Sequence, residues 1–326
     1  MRIIFIGDLH GRDTWKTIVE KETFDLVIFA GDYVSSHEDI SADAQIKNLK
    51  EILKYKEGNP NKVILLRGNH DLQHLGYPWA ECSGLFPDIK KWMSRPKNRT
   101  RFLKDSQWIY TFNKVIFSHA GISNTWLKSL KIDIKHLENI NALRPSANRF
   151  GFLPNTPYDF AGDSITQSCV WIRPGALNAD CIKGYTQIVG HTTVSKITNT
   201  YESTKKEHIW LCDALPYEYL VVEGDKRGIC IYPKFVDKPV IPLFNRYHFK
   251  VYLENIKDNE WLLKGDDVAL TYIGVGFLKD HIYSVDPSGG PFLEEGSTLT
   301  EGKIIRAIKG SPEGYIFTLE DENKED

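Results

Sequence analysis

Five short polar motifs, each placed directly after an apolar run, constrain this chain more than any other feature. The apolar runs cover residues 2–6, 25–30, 62–66, 114–117 and 187–189. The motifs that follow them are Gly7-Asp8-Leu9-His10-Gly11, Gly31-Asp32-Tyr33-Val34, Gly68-Asn69-His70-Asp71, Ser118-His119-Ala120-Gly121 and Gly190-His191-Thr192. Short runs rich in Ile, Val, Leu and Phe are typical of strands that are buried on both faces of a sheet. We therefore expect each motif to lie where a strand ends.

The segments between the strands predict how the motifs come together. Polar, helix-like stretches at 12–23, 41–57 and 86–94 follow the first three runs, which indicates a doubly wound α/β sheet. Ligands of such sheets lie beyond the carboxyl ends of the strands. The motifs would bring six oxygen and imidazole ligands to this edge, namely Asp8, His10, Asp32, Asn69, His119 and His191. Such a set suits a pair of divalent metals about 3.5–4 Å apart.

The motifs resemble those of a known family, the calcineurin-like metallophosphoesterases. Within this family they look like the motifs of the phosphoprotein-phosphatase branch, which includes lambda-type protein phosphatases and diadenosine tetraphosphate hydrolases. The resemblance covers about residues 1–233, and five fragments in the expected order are far more specific than any single one. The resemblance implies a four-layer α-β-β-α sandwich over residues 1–235. A small, mostly antiparallel β domain with an acidic tail is expected over 236–326.

The resemblance also implies a role for each matching residue. Asp8 and His10 would hold the first metal, Asp32 would bridge the two, and Asn69, His119 and His191 would hold the second. The metals would be Mn, Fe, Zn or similar ions, and a hydroxide bridging them would attack phosphorus. His70 would protonate the leaving oxygen as general acid. Asn69 would touch the phosphate, and Arg173, in Trp171-Ile172-Arg173-Pro174, would clamp it with its planar fork.

The chain departs from the branch pattern in one loop. The branch continues Gly-Asp-Tyr-Val with Asp-Arg-Gly, whereas this chain has Ser35-Ser36-His37, and Asp71 stands where the branch prefers Glu. The usual Asp orients the catalytic histidine and the usual Arg binds phosphate. His37, Glu38 and Asp39 are all candidates to replace them. The sequence does not choose among the three.

Three functions stay open at this stage. The leading one is a phosphomonoesterase similar to Ser/Thr protein phosphatases, which would take a phosphorylated protein or a small phosphoester. The alternative is a nucleotide phosphohydrolase that acts on a diadenosine polyphosphate, a cyclic nucleotide or another phosphodiester. A catalytically silent scaffold on the same fold is the third. The presence of His70 favours an enzyme, because a scaffold has no use for a general acid.

Composition narrows the setting of the protein. The 326 residues carry a formal net charge of −2, so no basic excess indicates a nucleic-acid partner. The five cysteines lack CxxC spacing, which favours reduced thiols and a cytoplasmic location. No apolar run is long enough to cross a membrane. The oligomeric state has no signal in the sequence.

Two insertions and the last ninety residues complete the expectations. Residues 72–105 are rich in aromatic and basic side chains, which fits either a charged rim for a phosphorylated partner or a solvated helix. Residues 144–166 predict an irregular loop that selects the substrate. Residues 219–223 and 228–232 predict two strands that complete the second sheet. Beyond them, short β-type runs are expected at 249–253, 268–273, 281–285, 303–308 and 315–319.

Overall fold

The chain divides into two compact units, Met1–Lys234 and Phe235–Asp326. The structure, a computed structural model, describes residues 1–153, 162–200, 208–224 and 228–236, together with seven strands further along the chain. All five motifs lie in the first unit. The predicted run at 268–273, the acidic tail and the centre of the loop at 144–166 lie outside the described residues.

The helices of the first unit are short, apart from one. They are α1 (Trp15–Lys21), α2 (Ala42–Gly58), α3 (Asn69–His74), α4 (Pro87–Met93), α5 (Pro96–Asp105), α6 (Asn124–Ser129), α7 (Ala147–Phe150) and α8 (Pro174–Ala179). Two 3₁₀ segments cover Pro78–Ala80 and Ile134–Ala142. The long helix α2 begins where the Ser41 hydroxyl accepts a hydrogen bond from the N–H of Ala44, as an N-cap serine commonly does.

The strands of the first unit form two sheets. They are β1 (Arg2–Ile6), β2 (Leu26–Phe29), β3 (Val63–Leu66), β4 (Ser106–Gln107), β5 (Ile109–Phe112), β6 (Val115–Ser118), β7 (Thr186–Thr193), β8 (Thr198–Asn199), β9 (Ile209–Asp213), β10 (Glu218–Gly224) and β11 (Ile229–Phe235). The first sheet has the order β11-β10-β1-β2-β3-β4, and the second has the order β5-β6-β7-β9-β8. The pairs β1–β2, β2–β3, β3–β4, β6–β7 and β7–β9 are parallel. Within each sheet, the carboxyl ends of these strands therefore lie at one edge.

The core lies between the two sheets. One buried cluster joins Phe5 and Ile28 of the first sheet to Phe117 and Ile188 of the second. Helix α8 packs its Leu177 on the opposite face of the second sheet. On the opposite face of the first sheet, Trp15 of α1 meets Phe29 edge to face with ring centroids 5.8 Å apart. This layering confirms the predicted fold class.

Three predictions about local structure were wrong. The strands at 219–223 and 228–232 belong to the first sheet, because β10 pairs antiparallel with the free side of β1. Gly190-His191-Thr192 does not follow a strand but lies inside β7, where the register with β9 shifts between Val189 and Thr193. The predicted loop at 144–166 contains the short helix α7, which buries Phe150 against Trp108 with ring centroids 3.7 Å apart.

The second unit contains a seven-stranded sheet with the order β12-β13-β14-β17-β18-β15-β16. Its strands are β12 (Val240–Leu243), β13 (Val251–Lys257), β14 (Glu260–Gly265), β15 (Tyr283–Asp286), β16 (Gly290–Pro291), β17 (Ile304–Ser311) and β18 (Gly314–Leu319). Each of its described pairings is antiparallel. In the described part of the chain, no helix has the length and apolar character that a membrane span requires.

Candidate active site

The first two motifs are joined along their backbones. The N–H of His10 donates to the carbonyl of Asp32 at 2.7 Å, and the N–H of Gly11 donates to the carbonyl of Tyr33 at 3.0 Å. His10 and Asp32 both have left-handed backbones, with φ of 46° and 48°. This conformation is unfavourable for residues with a Cβ and tends to be kept at functional sites. The turns place side chains of both motifs at one point beyond β1 and β2.

Two groups of three side chains could each hold a cation. The ligand atoms of Asp8, His10 and Asp32 all lie within 4.8 Å of one another, and so do those of Asp32, His119 and His191. Asp32 is common to both groups. All five residues are buried. The arrangement is that of two adjacent sites that share one carboxylate.

Hydrogen bonds decide which nitrogen each histidine offers. Nδ1 of His10 lies 3.0 Å from the carbonyl of Ser35, and Nδ1 of His119 lies 3.0 Å from that of Ala30. A carbonyl only accepts, so each Nδ1 carries the proton and Nε2 keeps its lone pair. His191 is the reverse case, because its Nε2 donates to the carbonyl of Trp171 at 3.2 Å. Such outer hydrogen bonds commonly orient histidine ligands.

The carboxylates of the site repel one another. Burial raises the pKa of Asp8 well above its usual value, and the charges of Asp213 and Asp32 raise it further. Burial and the neighbouring Asp71 do the same to the pKa of Asp32. Within the described residues, the buried Oδ1 of Asp8 has no hydrogen-bond partner, although Nδ1 of His119 lies 3.7 Å away.

The histidines next to these carboxylates are held neutral. Burial is the main cause that lowers the pKa of His119 to about 3, and it also lowers the pKa of His10 and His191. Nε2 of His119 lies 3.4 Å from Oδ2 of Asp32 and 2.9 Å from Oδ1 of Asn69. Imidazole lone pairs, amide oxygen and mutually repelling carboxylates thus converge. This donor set fits a pair of divalent cations.

Two glycines allow the carboxylates to approach the backbone. A Cβ at Gly68 would collide with Oδ1 of Asp32, and one at Gly190 would collide with Oδ1 of Asp8. Glycine is therefore required at both positions because a carboxylate approaches closely, and not because of the backbone conformation. The N–H of the next residue, His191, donates to Oδ2 of Asp8 at 2.9 Å.

The start of α3 places His70 beside Asp32. Asp71 accepts hydrogen bonds from the N–H groups of Gly68, Asp32 and Tyr33 at 2.8, 3.0 and 3.0 Å, so it ties the second motif to the third. Nε2 of His70 then lies 4.0 Å from Oδ2 of Asp32. Burial is the largest cause that lowers the pKa of His70 to about 3.

Arg173 reaches the site from the N-terminus of α8. Its Nη1 donates to the carbonyl of His191 at 3.0 Å and lies 3.1 Å from Oγ1 of Thr192. Burial lowers the pKa of Arg173, and the nearby charges of Asp8 and Asp32 oppose part of this shift. The guanidinium is therefore close to the centre, and all eight residues that the sequence singled out meet in one place.

Sequence reasoning missed three contributors to this site. Oγ of Ser35 lies 2.8 Å from Nδ1 of His70. Arg12, which directly follows the first motif, pairs through Nε with Oε1 of Glu38 at 3.2 Å. Asp213 is buried near Asp8 and accepts from Oγ1 of Thr193 at 2.7 Å. Only Ser35 had a signal in the sequence, since it occupies the position of the branch's orienting Asp.

Two adjacent ligand groups that share a carboxylate are typical of hydrolases that use two metal ions. The sequence profile of the calcineurin-like phosphoesterases matches residues 1–165, which is half of the chain. The chain belongs to this family, and it is a metallophosphoesterase, a hydrolase of phosphoric esters. No curated protein sequence matches it.

Several solved structures are similar to the chain at low identity. A cold-active protein-tyrosine phosphatase of Shewanella sp. is 16% identical, with a TM-score of 0.47 over 72% of this chain and 80% of that one. A protein serine/threonine phosphatase from Saccharomyces cerevisiae is 15% identical, with a TM-score of 0.42 over 72% and 79%. A metallophosphoesterase from Sphaerobacter thermophilus is 14% identical, with a TM-score of 0.36 over 72% and 89%. The family assignment depends on the profile match and not on these likenesses.

Proposed function

We propose that the chain hydrolyses phosphomonoesters with two divalent metal ions. The observation that carries the proposal is the pair of ligand groups that share Asp32, with His70 beside the shared carboxylate. Two adjacent metal sites next to a histidine suit displacement at phosphorus better than simple metal storage, because storage does not require a proton donor.

Each residue of the site has a role in this proposal. Asp8 and His10 would hold one metal, Asp32 would contact both, and Asn69, His119 and His191 would hold the other. When bound, two such ions supply Lewis acidity and a water of lowered pKa. The buried imidazoles are already neutral, with the unprotonated nitrogen directed to the ligand groups. The chain therefore presents its imidazole ligands in the protonation state that metal binding requires.

Arg173 and His70 would act on the substrate itself. Arg173 has a planar fork that can bind two phosphoryl oxygens, and its contacts with the His191 carbonyl and Thr192 hold it at the site. His70 is neutral before substrate binds, so it would gain a proton at Nε2 when the doubly charged phosphoester binds and would then pass that proton to the leaving oxygen. Asn69, whose Oδ1 lies 2.9 Å from Nε2 of His119, would also contact the phosphate.

A phosphoserine or phosphothreonine in a protein is the substrate we favour. The order of the five motifs is compatible with this choice and with the nucleotide alternative, because the branch that it resembles contains both kinds of enzyme. We propose that the basic side chains of α5 attract a phosphorylated protein; they include Arg99, whose guanidinium lies 4.2 Å from the ring centroid of Tyr77. We further propose that residues 1–235 form the catalytic domain and 236–326 a separate β domain, that manganese is a suitable metal and that the protein acts in the cytoplasm.

A metal-reconstitution assay tests the function. The purified chain is stripped with a chelator, loaded with Mn²⁺, Fe²⁺ or Zn²⁺, and assayed on phosphoserine peptide, phosphotyrosine peptide, nitrophenyl phosphate, diadenosine tetraphosphate and a cyclic nucleotide. We expect two metals per chain and the highest kcat/KM on the phosphoserine peptide. Preference for a nucleotide would replace the substrate class but keep the chemistry. Two bound metals without turnover of any ester would favour the scaffold.

A further inference from the structure

Ser35 has an unfavourable backbone conformation at the edge of the site. Among the described residues, seven that are not glycine have a left-handed φ. Four of them belong to the site or its first loop, and they are His10, Asp32, Ser35 and His191. Ser35 has the largest φ of the seven, 76°. Three of the four are candidate metal ligands. We therefore expect the side chain of the fourth, Ser35, to have a specific role as well.

The backbone of Ser35 is held in place from α2. Oε1 of Gln45 accepts hydrogen bonds from the N–H of Ser35 at 2.9 Å and from the N–H of Ser36 at 3.1 Å. Both serines and Gln45 are buried. The backbone of Ser35 is therefore held in one position, so the surrounding buried residues determine which contacts its hydroxyl makes.

The hydroxyl of Ser35 stands between a carbonyl and an imidazole. It donates its single proton to the carbonyl of Gly84, which can only accept. The same oxygen lies 2.8 Å from Nδ1 of His70. Because its proton is used on Gly84, Oγ can only accept from His70, and Nδ1 of His70 must carry a hydrogen.

The direction of these bonds matches what a general acid needs. With Nδ1 protonated and held by Ser35, Nε2 is the nitrogen on the side of Asp32, 4.0 Å from its Oδ2. When an imidazolium breaks its Nε2–H bond and the proton joins the leaving oxygen, the ring is left neutral with hydrogen on Nδ1. That tautomer is the one that Ser35 stabilises.

We propose that Ser35, held by the carbonyl of Gly84, is the positioning residue that fixes the ring orientation and the Nδ1–H tautomer of His70. The inference rests on the proposed role of His70 as general acid. It assigns to a neutral hydroxyl the orienting task that a carboxylate performs in the related branch. It also links the ring to residues 82–86, since Gly84 lies in that segment.

The other candidates near His70 are used elsewhere or fit less well. Sγ of Cys82 lies 3.6 Å from the same Nδ1, but a thiol is a weak acceptor. Glu38 pairs with Arg12. The ring of His37 is 6.2 Å from that of His70 between centroids and is exposed, as is Asp39. Ser35 is therefore a better candidate for the residue that orients His70 than His37, Glu38 or Asp39.

Glycine at position 35 provides a sharp test, because it removes the hydroxyl and relieves the backbone at the same time. For Ser35→Gly we expect an unchanged metal content, a Tm equal to or above that of the parent, and kcat on an alkyl phosphomonoester lower by about 10- to 100-fold, the usual effect of losing a hydrogen-bond partner of a functional histidine. Ser35→Thr should recover part of the loss. Ser36→Ala is the matched control, since the Oγ of Ser36 accepts from the N–H of Glu38 at 3.0 Å instead of contacting His70.

A double mutant separates positioning from a structural effect. If Ser35 acts through His70, Ser35→Gly adds no further loss in a His70→Asn background. The ¹⁵N shifts of the His70 ring in the metal-free protein provide a readout without activity, and they should show Nδ1–H in the parent and a tautomer mixture in Ser35→Gly. Additive losses, a normal kcat in Ser35→Gly or an unchanged tautomer would each overturn the proposal. A His70→Asn variant with full activity would instead refute the role of His70 as general acid. The tautomer measurement would still test whether Ser35 positions the ring.

Discussion

The N–H of His70 donates a hydrogen bond of 2.9 Å to Oδ1 of Asp32, and Nε2 of the same histidine lies 4.0 Å from Oδ2 of that aspartate. One carboxylate therefore contacts both the backbone and the ring side of the candidate general acid. Because Asp32 also belongs to both ligand groups, the metals and the proton donor share one structural support. Changes at Asp32 and at His70 should nevertheless have different consequences.

We expect Asp32→Asn to lose metal and activity together. The amide keeps the shape of the side chain but removes the charge that two cations would share. Metal analysis of the purified variant should show fewer than two ions per chain. Asp39→Asn, an exposed change in the following loop, is the matched control and should keep both metals. Two fully occupied metals in Asp32→Asn would rule out the shared ligand.

His70→Asn should reduce turnover without removing metal. A positioned general acid typically contributes about 10²–10⁴-fold, so kcat on an alkyl phosphate should fall by that factor. The loss should be smaller on nitrophenyl phosphate, because its leaving group needs little protonation. Steady-state kinetics on both esters provides the comparison. Equal losses on the two would argue against proton donation.

Arg173→Ala should lower kcat and kcat/KM together. Charge on the phosphoryl oxygens is greatest in the transition state, so a guanidinium that binds them there affects the chemical step. Arg173→Lys keeps the charge but not the fork and should recover only part of the activity. Arg144→Ala, at an exposed position, is the control. A nearly normal kcat/KM in Arg173→Ala would mean that another cationic side chain binds the phosphate. Arg12, which directly follows the first motif, would then be the first candidate.

Glu218 should make stability depend on pH. Burial raises its pKa from 4.5 to about 7, although a hydrogen bond from the N–H of Ile197 opposes the rise. A carboxyl with a raised folded-state pKa binds its proton more tightly when folded, so its contribution to stability is present below pH 4.5 and is lost as pH rises through about 7.

Glu218→Gln should remove this part of the pH dependence. The amide oxygen can still accept from Ile197, whereas the buried charge is gone. Denaturant unfolding at pH 5 and pH 8 should show a smaller difference in the free energy of unfolding for the variant than for the parent, at about 1.4 kcal/mol for each unit of pKa shift. Glu138→Gln, at an exposed position, should leave the difference as it is.

The main strands and the long helix α2 could be predicted because their patterns are local. The run at 2–6 coincides with β1, and the stretch at 41–57 lies within one residue of α2. The strand at 187–189 is an instructive failure, because β7 continues to Thr193 through His191. A glycine, a histidine and a threonine do not predict a strand interior. Pairing with β9 and the bulge there depend on a partner more than fifteen residues away.

Spaced Asp, His and Asn residues after buried strands can be recognised without coordinates, so the type of chemistry could be predicted from the amino-acid sequence. How those groups are held can be seen only in the folded protein. The hydrogen bond from His70 to Ser35, the pairing of Arg12 with Glu38, and the placement of Asp213 beside Asp8 join residues that lie far apart in the chain or whose side chains carry no pattern of their own. A hydrogen bond forms only when donor and acceptor lie within a few tenths of an ångström of the right separation. Periodicity and spacing do not carry that information, and packing does.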